Sequence, residues 1–339
     1  MKLGYYPGCS LHATSREFDE SLRAVSGPLE TELEEVEDWA CCGSSSAHAT
    51  NHLLSVALPA RTLALAEKQG MEHLLAPCAA CYSRLAGARH QVREDAELAK
   101  RVREVLERPF DAKVEVWSIL RWAREVAPAL KAKVKRPLSG LKVACYYGCL
   151  LVRPAELAGG EDPEDPRAME DLVTAAGGAP VAWNRRLDCC GAGFSLSRKG
   201  SVVRLGTAIL QDAKANGADV VVVGCPMCHS NLDFRQKAMS RRLPEPLDLP
   251  VVFLTQLVGM ALGIEPETLG LGRHFVSTDG FVTKAMNPPP PPEPKAKPTP
   301  PKPAPTKPTP DSGPAPDAPK PDAEEARKPA AEEAGKETA

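Results

Sequence analysis

Residues 218–228 read ADVVVVGCPMC, in which the unbroken apolar run 220–223 closes on Gly224 and passes into a C-x-x-C pair, Cys225 and Cys228. Residues 71–81, MEHLLAPCAAC, have the same shape and end on Cys78 and Cys81. A short continuous apolar run is the pattern of a strand covered on both faces, as in a parallel sheet. Cysteines directly after such a run fall on a strand-to-helix turn, where open α/β sheets place their ligands.

Working outward from these two segments, the chain repeats itself. VEVWSILRWA (114–123) follows the first C-x-x-C and VVFLTQLVGMA (251–261) follows the second. YYPGC ends at Cys9 and YYGC at Cys149; DWACCG carries Cys41 and Cys42, and LDCCGAG carries Cys189 and Cys190. The spacings are C-x31-CC-x35-C-x2-C and C-x39-CC-x34-C-x2-C, so one unit is duplicated.

Within each unit, strand and helix patterns alternate. MKLGYY (1–6) and LKVACYY (141–147) read as short strands, TSREFDESLRAV (14–25) has helical spacing, and LETELEEVED (29–38) alternates enough to include a strand. RTLALAEKQG (61–70) reads as a helix ending at Gly70. The expected fold is α/β, with two pseudo-symmetric repeats, each a small mostly parallel sheet with flanking helices and cysteine-bearing loops. KVKRPLSG (133–140) marks the linker, giving a first repeat over 1–136 and a second over 137–286. From Asn287 the chain turns into a Pro/Lys/Glu/Ala run without aromatics, and 287–339 is expected to be a disordered tail.

Bulk composition excludes several function classes. A net charge of -2 over 339 residues gives no electrostatic support for nucleic-acid binding. The longest apolar stretch, LPVVFLTQLVGMALG (249–263), is interrupted by Gln256 and reads as a buried strand and helix, so no direct membrane span is expected. The opening MKLGYYPGCS lacks a basic-then-apolar leader pattern, and the expected location is cytoplasmic. All 11 cysteines precede residue 229, and in a reducing compartment metal ligation or redox chemistry is a better account of them than a disulfide framework.

Five cysteines per repeat exceed the four that a structural zinc site or a cubane cluster takes. Neighbouring side chains on extended backbone point to opposite faces, so an adjacent pair chelates one small ion poorly. Set on a turn and followed by glycine, the same pair can meet an object several ångströms across, which favours a multi-iron cluster over a single zinc. A vicinal disulfide is a strained alternative that a reducing compartment disfavours. Cys145 falls opposite Tyr5 when the repeats are aligned and reads as a buried small hydrophobe.

The duplicated pattern, with its YYPGCSLH opening and DWACCG, resembles the B subunit of heterodisulfide reductases and its bacterial relatives over residues 1–286. The resemblance implies two noncubane [4Fe-4S] clusters: Cys9, Cys41, Cys42, Cys78 and Cys81 would hold one, and Cys149, Cys189, Cys190, Cys225 and Cys228 the other. It implies a disulfide/thiol oxidoreductase subunit whose small-molecule or protein disulfide substrate lies between the two clusters. No C-x2-C-x2-C-x3-C-P run or G-x-G-x-x-G is present, so electrons are expected from partners. The family supplies these as two further proteins of the same complex, one a ferredoxin-like iron-sulfur subunit and the other flavin-bearing.

Two other readings stand beside this one. Domains of this kind also serve as non-catalytic electron-transfer subunits of lactate or glycolate oxidation complexes and of succinate dehydrogenase-like complexes; a zinc-stabilised scaffold is disfavoured by the fifth cysteine. His12, His48 and His229 lie close to the cysteine motifs and are candidates for hydrogen bonding to sulfur or for proton delivery. Arg84, Arg153 and Arg198 are candidates for anion binding or charge balance, against the plain reading of solvated surface.

Overall fold

The computed structural model describes residues 1–241 and 243–288; apart from its first two residues, the tail expected over 287–339 lies outside them. Strands β1 (Lys2–Tyr5), β2 (Glu32–Glu35), β3 (His73–Leu75) and β4 (Glu115–Trp117) form one sheet in the order β2-β1-β3-β4. A second sheet, ordered β6-β5-β7-β8, is built from β5 (Lys142–Tyr146), β6 (Ala179–Pro180), β7 (Val220–Val223) and β8 (Val251–Phe253). Every pairing among the described residues is parallel, so the expected mostly parallel sheets are wholly so.

The helices of the first half are α1 (Gly8–His12), α2 (Arg16–Ser26), α3 (Ser44–Thr50), α4 (His52–Lys68), α5 (Ala79–Glu94), α6 (Ala96–Leu106) and α7 (Ile119–Lys133). Those of the second are α8 (Ala168–Ala175), α9 (Lys199–Ala215), α10 (Pro226–Leu232), α11 (Gln236–Ser240), α12 (Leu254–Ala261) and α13 (Asp279–Met286). Local chemistry sets their limits. The Asn51 side chain accepts from the Leu54 amide at the start of α4, and just past its end Gly70 takes φ +72°. Pro226 opens α10, where its missing N–H costs no helical bond.

Burial follows the sequence patterns. All four valines of β7 are fully buried, whereas β2, at a sheet edge, leaves Glu32 and Glu34 exposed. β6 is only two residues long and carries Pro180, which an edge position tolerates.

The two repeats pack reciprocally: α2 lies against α12 and α7 against α8. Since α2 and α8 follow the first strands of their repeats, and α7 and α12 follow the last, the junction has the logic of an isologous dimer written into one chain. Phe18 stacks on Phe253 within it, and Ser21 Oγ lies 2.6 Å from Thr255 Oγ1. Each sheet leaves its three cysteine segments at the carboxyl ends of its first three strands, around the point where strand order reverses between β1 and β3, or β5 and β7.

Candidate metal centre

Each repeat builds its thiol group from the same parts. After β1 the chain turns at Gly8, with φ +68°, and after β5 at Gly148, with φ +66°. A Cβ at Gly8 would sit 2.9 Å from Cys81 Sγ, and one at Gly148 would sit 3.3 Å from Cys228 Sγ. Glycine is therefore required here both by torsion and by the close approach of sulfur. The adjacent pairs end on Gly43 (φ +75°) and Gly191 (φ +82°), which also adopt the left-handed conformation. Tyr6 donates its hydroxyl to the carbonyl of Ala40, just before Cys41, and Tyr146 donates to that of Asp188, just before Cys189. These two tyrosines hold equivalent positions and pin equivalent loops.

The structure brings the sulfurs of each repeat together. Cys42 and Cys81 Sγ are 3.6 Å apart, as are Cys190 and Cys228 at 3.5 Å, and Cys149 and Cys189 lie at 3.9 Å. Cys9 and Cys41 are likewise neighbours. Such separations far exceed the roughly 2.05 Å of a disulfide bond, and all 11 cysteines are free, Cys41/Cys42 and Cys189/Cys190 included. They match two thiolates sharing one tetrahedral metal at about 2.3 Å each, which sets the sulfurs about 3.8 Å apart.

The two groups also meet. Cys78 and Cys225, the first cysteines of the two C-x-x-C pairs, are buried neighbours that act on each other's ionisation, although 147 residues (225 − 78) separate them. Cys81 adjoins Cys78 and Cys228 adjoins Cys225, so sulfur runs from one group to the other across the junction. Cys9, Cys41 and Cys189 form the exposed edge, whereas Cys42, Cys78, Cys81, Cys190, Cys225 and Cys228 are buried.

Charge is shared unequally in each contact. Cys42 is brought down to about 7, first by the Cys81 thiol and then, against its burial, by the Ser44 N–H and the Arg84 cation. Cys189 falls to about 6 through the Cys149 thiol and the N–H groups of Gly191 and Ala192; Gly191 N lies 3.3 Å from its sulfur. Their partners Cys81 and Cys149 are pushed up by the same contacts together with burial. One member of each adjacent pair is thus poised as thiolate near neutral pH, the form that binds metal. Ten convergent thiols, with N–H groups aimed at sulfur, fit a thiolate-held metal centre.

The other sequence candidates divide. Arg84 belongs to the first group: its charge acts on Cys42 and its Nη1 lies 3.4 Å from exposed His48 Nδ1. Position 84 falls three residues after Cys81; the counterpart after Cys228 is Asn231, whose Nδ2 lies 3.6 Å from Cys190 Sγ. Sequence reading passed over Asn231, although a residue three places on from a helical ligand shares its face. His12 pairs with Glu35 and packs edge-on to Trp39, Arg153 pairs with Glu164, and Arg198 is exposed.

His229 is drawn elsewhere. Gln256 Oε1 accepts from the Phe253 amide, so its Nε2 donates to Leu269 O and to His274 Nε2. That leaves the proton of His274 on Nδ1, which faces His229 Nε2 at 2.7 Å, an atom that also lies 3.1 Å from the Val251 carbonyl. Asp233 beside them accepts from the amides of Phe275 and Val276. These three residues are close enough to hold an ion, but with the Gln256 amide donating to His274 Nε2 the proton of His274 lies on Nδ1, the nitrogen turned toward His229. Cys145 is fully buried on β5, its thiol pushed up by burial, as expected of a small core residue.

Parallel α/β units bearing thiol-lined loops at their strand ends, twice over, define a duplicated cysteine-rich protein. Residues 3–86 and 143–233 both match the cysteine-rich (CCG) domain, and the chain belongs to that family. Its relatives carry two kinds of name. It is 33% identical over 278 residues to the 8-methylmenaquinol:fumarate reductase membrane anchor subunit of Wolinella succinogenes, covering 81% of this chain and 97% of that one. It is 28% identical over 295 residues to the B subunit of the ferredoxin/F(420)H(2)-dependent CoB-CoM heterodisulfide reductase of Methanosarcina acetivorans, covering 84% and 96%. A protein of Archaeoglobus profundus named as similar to the B subunit of heterodisulfide reductase is 27% identical over 278 residues, covering 79% and 92%. In fold, the crystal structure of a hypothetical protein from Helicobacter pylori superposes with a TM-score of 0.66 at 14% identity, over 81% of this chain and 52% of that one, so the chain spans about half its length. Among the described residues no helix is long and apolar enough to cross a membrane.

Proposed function

We propose that this chain is the iron-sulfur subunit of a heterodisulfide-reductase-type complex and reduces, or forms, a disulfide. In this reading Cys9, Cys41, Cys42, Cys78 and Cys81 hold one noncubane [4Fe-4S] cluster and Cys149, Cys189, Cys190, Cys225 and Cys228 a second. The observation that carries it is the pair of equivalently built five-thiol groups in contact through Cys78 and Cys225. When bound, two such clusters supply one-electron transfers at adjacent points, matching the two electrons that one disulfide takes up. Cys9, Cys41 and Cys189 present the edge at which a small-molecule or protein disulfide would approach. The glycine turns and the Tyr6 and Tyr146 hydrogen bonds hold those edges in place. Names of relatives as subunits support a multi-subunit setting; in this reading a ferredoxin-like iron-sulfur protein and a flavin-bearing protein of the same complex supply the electrons, in the cytoplasm.

A second reading is favoured by the Wolinella relative: a non-catalytic electron-transfer subunit of a fumarate reductase or succinate dehydrogenase-like complex. Anaerobic purification followed by metal analysis, EPR and a disulfide-reduction assay with an artificial donor separates the two. About eight irons per chain, two clusters of four, with signals that change on adding thiol and turnover of disulfide, is the result expected of the first reading. Reducible clusters without disulfide turnover would move the assignment to the second, and zinc in place of iron would end both.

A further inference from the structure

The two thiol groups are built alike in backbone but not in charge. Three residues after the second cysteine of each C-x-x-C, on the same helical face, stand Arg84 in the first repeat and Asn231 in the second. Arg84 is half-buried, and its positive charge favours the anionic form of Cys42. Asn231 is fully buried, and its Nδ2 faces the Cys190 carbonyl at 3.3 Å and the Cys190 sulfur at 3.6 Å. Its orientation is fixed, because Oδ1 accepts from Ser195 Oγ at 3.0 Å and from Arg235 Nε at 3.3 Å. The Arg235 guanidinium is engaged there and with Ser195 O at 2.7 Å, one residue removed from the thiols.

Reduction adds negative charge to a thiolate-held centre, so a nearby cation or an N–H aimed at sulfur raises its potential. A full charge outweighs one neutral N–H at a long 3.6 Å. We infer that Arg84 and Asn231 set the two centres at unequal potentials, the first repeat's above the second's, so that a single added electron comes to rest at the first repeat. The inference rests on the iron-sulfur reading above. The step is one electron: the second centre is oxidised as the first is reduced, no bond forms or breaks, and the electron comes from a one-electron redox protein or, in vitro, from dithionite.

The test is an EPR-monitored redox titration with dithionite on the full chain, purified anaerobically, with iron per chain measured first. Wild type is expected to give two waves. In Arg84→Gln the upper wave falls by at least 59 mV, a tenfold change in a one-electron equilibrium, and the lower wave stays put. Arg84→Lys keeps the charge and restores the upper wave. Asn231→Asp keeps the Ser195 and Arg235 contacts, replaces the N–H donor with a carboxylate oxygen, and depresses the lower wave alone. Iron present with waves that fail to respond, or that respond at the wrong centre, overturns the inference and leaves the iron-sulfur reading standing. A chain that carries no iron overturns that reading and the inference with it.

Discussion

Tyr6 donates its hydroxyl to the carbonyl of Ala40 at 2.8 Å, and that single bond fixes the backbone from which Cys41 and Cys42 depart. Tyr146 repeats the arrangement with Asp188 at 2.5 Å. Removing a hydroxyl leaves a buried phenyl ring and a carbonyl without its donor. Tyr6→Phe and Tyr146→Phe are each expected to cost about 1–2 kcal/mol in denaturant unfolding. Because each acts on one loop, each single variant should retain metal at the untouched repeat, with about half the wild-type metal per chain when loading is limited; the double variant should lose it at both. Unchanged metal content in all three would remove the pinning role.

Gly8 and Gly148 differ in how much room sulfur leaves them. Alanine at position 8 meets Cys81 Sγ at 2.9 Å, and at 148 it meets Cys228 Sγ at 3.3 Å, in both cases with a left-handed backbone. The torsion alone costs about 1–2 kcal/mol. Gly8→Ala is expected to be the more damaging of the two, with a larger drop in melting temperature and in metal per chain. Equal effects would mean that torsion, not crowding against sulfur, is what the glycines answer to.

Much of this could be read before the structure, for reasons that particular residues show. The valines of β7 and the repeated C-x-x-C declared a buried parallel strand leading to a ligand turn, because both signals are local. β6 was not legible: its two residues, Ala179 and Pro180, carry no pattern and owe their place to pairing with Lys142 and Val143. The contact of Cys78 with Cys225 arises only from the reciprocal packing of the repeats, which no local pattern encodes. His229 shows where sequence proximity misleads: adjacent residues on a helix point about 100° apart, so the neighbour of Cys228 faces Val251 and His274 instead of the thiols. Tyr6 and Tyr146 stood in the quoted repeats, but their role needed the loops they reach.

The stacked pair Phe18 and Phe253, with centroids 4.3 Å apart and planes 6° from parallel, joins α2 to the start of α12. Both rings are fully buried. Phe253→Ala is expected to destabilise by about 3–5 kcal/mol through lost burial and the cavity left behind. Because the ring also underlies His229, with centroids 4.5 Å apart, the loss should reach the second thiol group through α10, and metal content should fall with stability. Phe253→Leu, which refills most of the volume, should recover the larger part of both. Metal retained in a strongly destabilised Phe253→Ala would show that the junction and the thiol groups are uncoupled.

His274 gives the chain a pH-dependent weakness. Burial lowers its pKa from 6.5 to about 4, so the folded protein keeps it neutral while the unfolded chain takes up a proton near 6.5. Between these values the unfolded state binds more protons, and stability must fall as pH falls. Above about 6.5 the group contributes no slope. At pH 4 the difference amounts to about 3 kcal/mol at most, taking 1.36 kcal/mol per pKa unit. His274→Asn, which does not titrate in this range, should reduce the slope of the stability profile between pH 6.5 and 4, leaving the part due to His229, which burial lowers to about 3, while weakening the protein at pH 7 through loss of the contact with His229. Urea unfolding of both proteins at half-unit pH steps gives the difference curve directly, and a difference that grows toward low pH in the wild type's favour would contradict the assignment.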